Sequence, residues 1–424
     1  MKKVMCYPTS LLPTRLDRQV EYLSLYSHAP AGRPLVGSIA PTLPSLVQRA
    51  GLMPPVQTWD FTTIALSVAA ADQVVLRKDS PDGWTRMIEL SICLNEPAVW
   101  EAQRELLESC LQHLTGDFWT LRFIDGGLEP PRAKQGRLND ADCVCLLSGG
   151  ADSLVGGIDL IAAGRKPLFV SRIVRGDAET QRRYVRELGA QDRHYQWSFT
   201  VNHAGESEPS TRGRSIIFFA FAALAASAIQ PEENQRVEII VPENGFVSLN
   251  ISLTPGRSGS LSTKTTHPLY MDGIQSLWNA CGINAQLLFP YRYKTKGELF
   301  AECSDQAILK ALVNESKSCG KIQRHNLTHC GECFPCLVRR AAFLAAGIPD
   351  RTKKGYLSKK LRDSTSRDLL AVASAFLRYK RKGLPYFIGG ALAFASNQER
   401  VLYERVVARG MDELGQLLKK HGVL

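Results

Sequence analysis

A chain of 424 residues, 44% hydrophobic and 22% charged, has the length for two or three domains and the composition of a globular protein with sizeable cores. No apolar run reaches the ~20 residues that would cross a membrane. The N-terminus, Met1-Lys2-Lys3-Val4-Met5-Cys6, has no apolar stretch of the signal-peptide kind, so a cytoplasmic location is expected. The net charge of +11 concentrates at Arg172 to Arg193 and Arg351 to Lys382. Solvated helix faces explain such runs, and a nucleic-acid partner stays open beside them without being favoured, since no basic patch with interleaved aromatics is present.

Residues 1–139 read as an accessory α+β domain. Gly32 to Pro55, rich in Gly and Pro, reads as irregular covering structure. Phe61 to Leu76 is expected to be helical, Trp84 to Leu94 a strand, Pro97 to Leu114 a helix with Trp100, Leu106, Leu107, Cys110, Leu111 and Leu114 on one side, and Phe118 to Ile124 a strand. Gly126 to Gly136 is the expected linker.

Residues 140–346 read as an α/β domain with a doubly wound parallel sheet, because strands and helices alternate. Cys143 to Leu147 is a short apolar run of the central-strand type. Ser148-Gly149-Gly150-Ala151-Asp152-Ser153 then turns into a helix that Gly164 ends. Two adjacent glycines let the backbone approach an anion, and a helix start offers unpaired N–H groups and the positive end of a dipole. Asp152 is placed to hold Mg2+ against phosphates. Strands are expected at Pro167 to Val174, Tyr195 to Val201 and Val237 to Val241, and helices at Asp177 to Leu188 and Ser215 to Ala228.

Further candidate residues fall at the expected strand ends and loops. Arg214, before the apolar helix, is a possible phosphate or carboxylate fork. Glu243-Asn244-Gly245 follows the fourth strand, where a turn is the plain reading and Asn244 a possible substrate contact. Asn250 to Pro268 is a long polar loop containing Arg257, Ser258, Ser260, Ser262 and Thr263, and its Lys264 and His267 are suited to a charged substrate or a proton. Lys296, just before a helix, can neutralise phosphate charge.

Of the eleven cysteines, seven are scattered in mostly apolar contexts and read as core residues. The other four, Cys319, Cys330, Cys333 and Cys336, give four thiolates suited to a closed tetrahedral zinc site, with an iron–sulfur cluster as the rival. Arg339 follows three residues later as a possible substrate contact. Residues 347–424 read as a helical region, clearest at Leu369 to Leu377 and Glu399 to Leu418.

The Ser-Gly-Gly-x-Asp-Ser string after a strand matches the pyrophosphate (PP) loop of the ATP pyrophosphatases, a HUP-like fold class. Together with Arg214, Thr295-Lys296, the four cysteines and Arg339, it resembles the 7-cyano-7-deazaguanine synthase (QueC) family over 140–346. The resemblance implies ATP-dependent, AMP-forming activation of 7-carboxy-7-deazaguanine, followed by amine attack. It implies that Ser148, Gly149, Gly150, Asp152 and Ser153 bind pyrophosphate and Mg2+, that Lys296 stabilises leaving charge, and that the four cysteines hold Zn2+. The added ends, the Asn250 to Pro268 loop and Arg214-Ser215 look more like the QueC-like proteins of bacterial anti-phage operons, such as the C component of the Qat system. They imply a protein amine as acceptor and a partner encoded nearby. A tRNA-modifying PP-loop enzyme and a non-catalytic nucleotide-binding scaffold are the rival readings.

Overall fold

The computed structural model describes residues 1–136, 139–174, 176–253 and 264–424. Arg257, Ser258, Ser260, Ser262 and Thr263 of the long polar loop lie outside the described residues. The chain opens with β1 (Lys2–Tyr7), β2 (Val20–Leu25), β3 (Val36–Ile39), α1 (Leu43–Arg49), α2 (Val56–Val74), β4 (Met87–Leu94), α3 (Pro97–Glu101), α4 (Arg104–Thr115) and β5 (Phe118–Asp125). It continues with β6 (Cys143–Leu146), α5 (Ala151–Ala162), β7 (Pro167–Arg172), α6 (Ala178–Glu187), β8 (His194–Trp197), β9 (Val201–Asn202), α7 (Ile216–Ala226) and β10 (Val237–Ile240). Then come α8 (Gly245–Ser248), α9 (Pro268–Ala280), β11 (Ala285–Leu288), α10 (Lys296–Glu302), α11 (Gln306–Leu312) and α12 (Phe334–Ala345). The last helices are α13 (Arg367–Lys382), α14 (Leu384–Ile388) and α15 (Asn397–Lys420).

The first sheet has the order β5-β4-β1-β2-β3-β9, with every neighbouring pair parallel except β3 and β9. The α+β unit expected here is therefore an α/β layer. Its extra strands are β1 to β3, which lack a long alternating pattern. The helical crossovers α2 and α3–α4 return the chain over one face, so β4 and β5 run parallel to β1. Val201, expected to end the third strand of the second domain, instead pairs with Ile39 in this first sheet.

The second sheet is parallel throughout, in the order β11-β10-β6-β7-β8. β6 begins it in the middle. The next strands build outward to one side, and β10 and β11 fill the other. The order thus reverses between β6 and β10, and ligands of such sheets sit in the crevice beyond the carboxyl ends of the strands there.

Helices α2 and α7 explain how the sheets join. Both are buried around nearly their whole circumference: α7 is apolar throughout, and α2 buries Asp60, Asp72 and several hydroxyl side chains among its apolar ones. They pack on each other between the sheets, as α4 packs on α9, so one core gathers residues from Val4 to Leu287. Phe61 of α2 stacks on Trp100 and meets Trp278 of α9 edge-on at 5.7 Å. Beneath them, buried Arg86 bonds both Asp72 and Asp117, and Arg77 is bidentate to Asp117 at 2.8 and 2.9 Å. The second oxygen of Asp72 accepts the N–H groups of Arg212 and Gly213, both at 2.6 Å, and so sets the turn that begins α7. At the other end, α15 lays Tyr403, Val407, Met411 and Leu414 against Phe246, Leu337 and Ala341 of the α8–α12 region. Among the described residues, no helix is long and apolar enough to cross a membrane.

Candidate functional site

β6 is buried along its length and delivers Ser148 at the sheet's switch point. Gly149 takes φ +85°, a region that a side chain disfavours. Gly150 caps α5 without any side-chain bond, which leaves the first-turn N–H groups of this 12-residue helix for a ligand. Ser148 and Ser153 hydroxyls lie 3.2 Å apart, and Ser153 also donates to the Gly150 carbonyl at 3.0 Å. A cavity of about 280 Å³ opens over this loop, walled by Phe218, Pro242, Val247, Thr265, Thr266 and Lys317.

Three ionisable groups meet at this loop. Lys296 is the first residue of α10, whose start is fixed by a Thr295–Glu298 capping box. Its ammonium pairs with Asp152 Oδ1, and both side chains are more than nine-tenths buried. Asp152 Oδ2 accepts the Asn244 Nδ2–H at 2.7 Å. Asn244 Oδ1 in turn accepts the Val247 N–H and caps α8. Asn244 is itself fully buried and orients Asp152 from behind. Glu243 lines the cavity beside this pair, and burial, then the Asp152 carboxylate, push its carboxyl up to about 8, with Lys296 opposing. Gly245, next in line, has no room for a side chain: a Cβ there would lie 1.9 Å from the Arg292 carbonyl oxygen.

The four cysteines also converge. Their sulfurs lie within 4.8 Å of one another, with contacts of 3.6, 3.8 and 3.9 Å. A tetrahedron with Zn–S bonds of about 2.3 Å has edges of about 3.8 Å, so one zinc ion fits. An iron–sulfur cluster spreads its thiolates over several irons and needs wider spacing. Backbone N–H groups of Lys321 and Cys330 point at Cys319 Sγ, as thiolate ligands require. This knot positions the segment just before it. Ser318 N–H bonds to His329 Nε2, and Lys317 N–H bonds to the Gly149 carbonyl at 3.1 Å.

The remaining candidate residues lie elsewhere. Lys264 and His267 line a second cavity, while Thr265 and Thr266 between them face the first. His267 Nδ1 accepts the Leu269 N–H and caps α9, and burial pushes the ring down to about 3. Arg214 is exposed in the Gly213–Ser215 turn, near enough to Arg172 at the end of β7 that burial and its charge together lower Arg172 to about 10. Arg339 is wholly buried, donating to Val313 O, Ser316 and Thr352, so it braces the chain leading into Lys317. Lys317 is a pocket residue that the sequence does not single out, and Glu243 is one that it marks only as part of a turn after the fourth strand. Glu243 carries one signal, its place just past the strand next to β6, whereas Lys317 carries none beyond its nearness to Cys319.

No family model matches the chain, and no solved structure matches it. Among curated proteins, the chain is similar to the 7-cyano-7-deazaguanine synthase 1 of Sphingopyxis alaskensis, 25% identical over 232 residues that make up 50% of this chain and 96% of that protein, a likeness that supports the QueC-like resemblance carried by the motifs.

Proposed function

We propose that the chain activates a 7-deazaguanine carboxylate with ATP and passes the acyl group to an amine. The observation that carries this reading is the convergence of Lys296, Asp152 and Glu243 beside an uncapped helix start and two loop serines. The loop from Ser148 to Ser153 holds the β and γ phosphates through N–H and hydroxyl donors. Asp152, joined by Glu243, is the place for Mg2+. A carboxylate oxygen of the acid attacks the α-phosphorus, and the bond to the β-phosphate oxygen breaks. Lys296 and Lys317 stabilise the charge that leaves with pyrophosphate. The amine nitrogen then attacks the acyl carbon, AMP departs with the bonding pair, and the amine gives up a proton. Asn244 and Arg339 act through Asp152 and the Lys317 segment.

The amine is proposed to belong to a partner protein, in the manner of anti-phage systems. Support for this lies in the half of the chain that the synthase likeness does not cover. Mass spectrometry of neighbouring-gene products co-expressed with the chain should show an added deazapurine. Full conversion of the acid to free nitrile with ammonia alone would instead make it a 7-cyano-7-deazaguanine synthase.

A further inference from the structure

The second cavity, about 510 Å³, is built where three parts of the chain meet: His113 of α4, the 249–252 and 264–267 segments, and α13–α14. It shares walls with the loop cavity, because Val247 and Thr265 face one side while Leu249 and Lys264 face the other. Its charge is one-sided. Lys264 and Arg378 line it, and no carboxylate does among the described residues. Neither cation has an acidic partner among the described residues. Arg378 donates one bond to the Leu253 carbonyl, and its Nε is buried with no acceptor. The Lys264 ammonium is half-buried and further burdened by nearby Arg212, so burial and that charge lower its pKa. Two partly buried cations without a counter-ion are costly unless an anion joins them.

The rest of the wall is mixed, with an apolar part beside polar Asn250, Ser252 and Tyr386. Leu249, Ile251, Phe387 and Ile388 supply the apolar part, with the His113 and His267 rings 4.8 Å apart at one edge. Burial keeps both imidazoles uncharged at neutral pH, and His267, with Nδ1 occupied as an acceptor, carries its proton on Nε2 as a donor. A site of this composition repels an ammonium group and welcomes a carboxylate attached to a planar ring. Its volume lies in the range of small-molecule pockets.

We infer that this cavity receives the acid substrate, with Lys264 and Arg378 meeting its carboxylate and the apolar wall holding its ring system. The inference rests on the acid-activating function proposed above and deepens it. Lys264 adjoins Thr265, so the carboxylate end is the end nearest the loop cavity. The amine acceptor then comes from a different side.

Equilibrium dialysis of the full chain with 7-carboxy-7-deazaguanine and with 7-deazaguanine, which lacks the carboxylate, tests this. Binding is measured with and without a non-hydrolysable ATP analogue, whose own binding is followed separately. The acid should bind at least about tenfold more tightly than the parent base, as expected for a charge-assisted contact. Lys264→Met should erase that preference, Lys264→Arg should keep it, and both should bind the analogue within about twofold of the parent chain. A preference that survives Lys264→Met, or no preference in the unmodified chain, overturns the inference. Lys264-dependent acid binding in a chain that ignores the analogue would leave the cavity standing and remove the ATP chemistry.

Discussion

At the scale of residues, Asp152 sits between a lysine, an asparagine and a glutamic acid that share its two oxygens and its field. The Lys296 ammonium is paired with Asp152, so it is held in place rather than searching for its target. Replacing it with Met should lower the rate of acid-dependent pyrophosphate release by about 10²–10³-fold, the range for losing one preorganised charge-stabilising donor. Coupled detection of pyrophosphate gives that number. Glu243 makes a second prediction. Its carboxyl rises from an ordinary 4.5 to about 8 in the folded chain, so the folded state holds a proton more tightly than the unfolded state does. Stability should therefore fall as pH rises from about 5 to about 8. Glu413, raised to about 7 chiefly by burial, adds a slope of the same sign. In melting curves across that window, Glu243→Gln should flatten the fall in Tm without removing it. An unchanged slope would mean that Glu243 is ionised alongside Asp152.

At the scale of elements, the metal knot and the loop are joined by a single short segment. Cys319 lies two residues from Lys317, whose N–H reaches Gly149, so a zinc ion held by the four cysteines would fix one wall of the loop cavity from outside the sheet. Structural zinc contributes about 10–16 kcal/mol of apparent binding energy. Chelation, or Cys333→Ser, should thus loosen 313–336 first and raise amide exchange at Lys317 and Ser318 while β6 stays protected. Exchange measured by mass spectrometry separates these segments, and equal loss of protection in β6 would contradict the arrangement. Much of this was legible in the sequence, because a strand, two glycines and a helix start are local, and so is a Cys-x-x-Cys-x-x-Cys spacing. Lys317 and Glu243 were not legible, since their roles exist only once β10 lies beside β6 and the knot folds back over the loop. The parallel first sheet was hidden for a related reason: β1 to β3 are short, and β1 pairs with β4 from Lys2 to Ile88 while β3 pairs with β9 from Ser38 to Asn202, far along the chain.

At the scale of the whole molecule, the two sheets share one hydrophobic core. The α+β reading of residues 1–139 treats α2 as a local helix, whereas its sides are covered by α7 as well as by its own sheet. Phe61 shows the coupling, with Trp100 on one side and Trp278 of the second half on the other. Phe61→Ala should cost about 3–5 kcal/mol, the usual range for emptying an aromatic core site. Both sheets should lose that stability together, as a single shifted transition in denaturant. Two separated transitions would show that the halves fold independently. The same unity places the C-terminal helices in the site's framework, because α15 braces α12 and α10, whose first residue is Lys296.

The central claim is that a carboxylate oxygen displaces pyrophosphate from ATP over the Ser148 to Ser153 loop. It is tested most directly by supplying 7-carboxy-7-deazaguanine labelled with 18O in its carboxylate, together with ATP, Mg2+ and an amine, and weighing the nucleotide product. AMP carrying one 18O, formed one for one with pyrophosphate and lost in Lys296→Met, is the predicted result; unlabelled AMP, or ADP with phosphate, would contradict it.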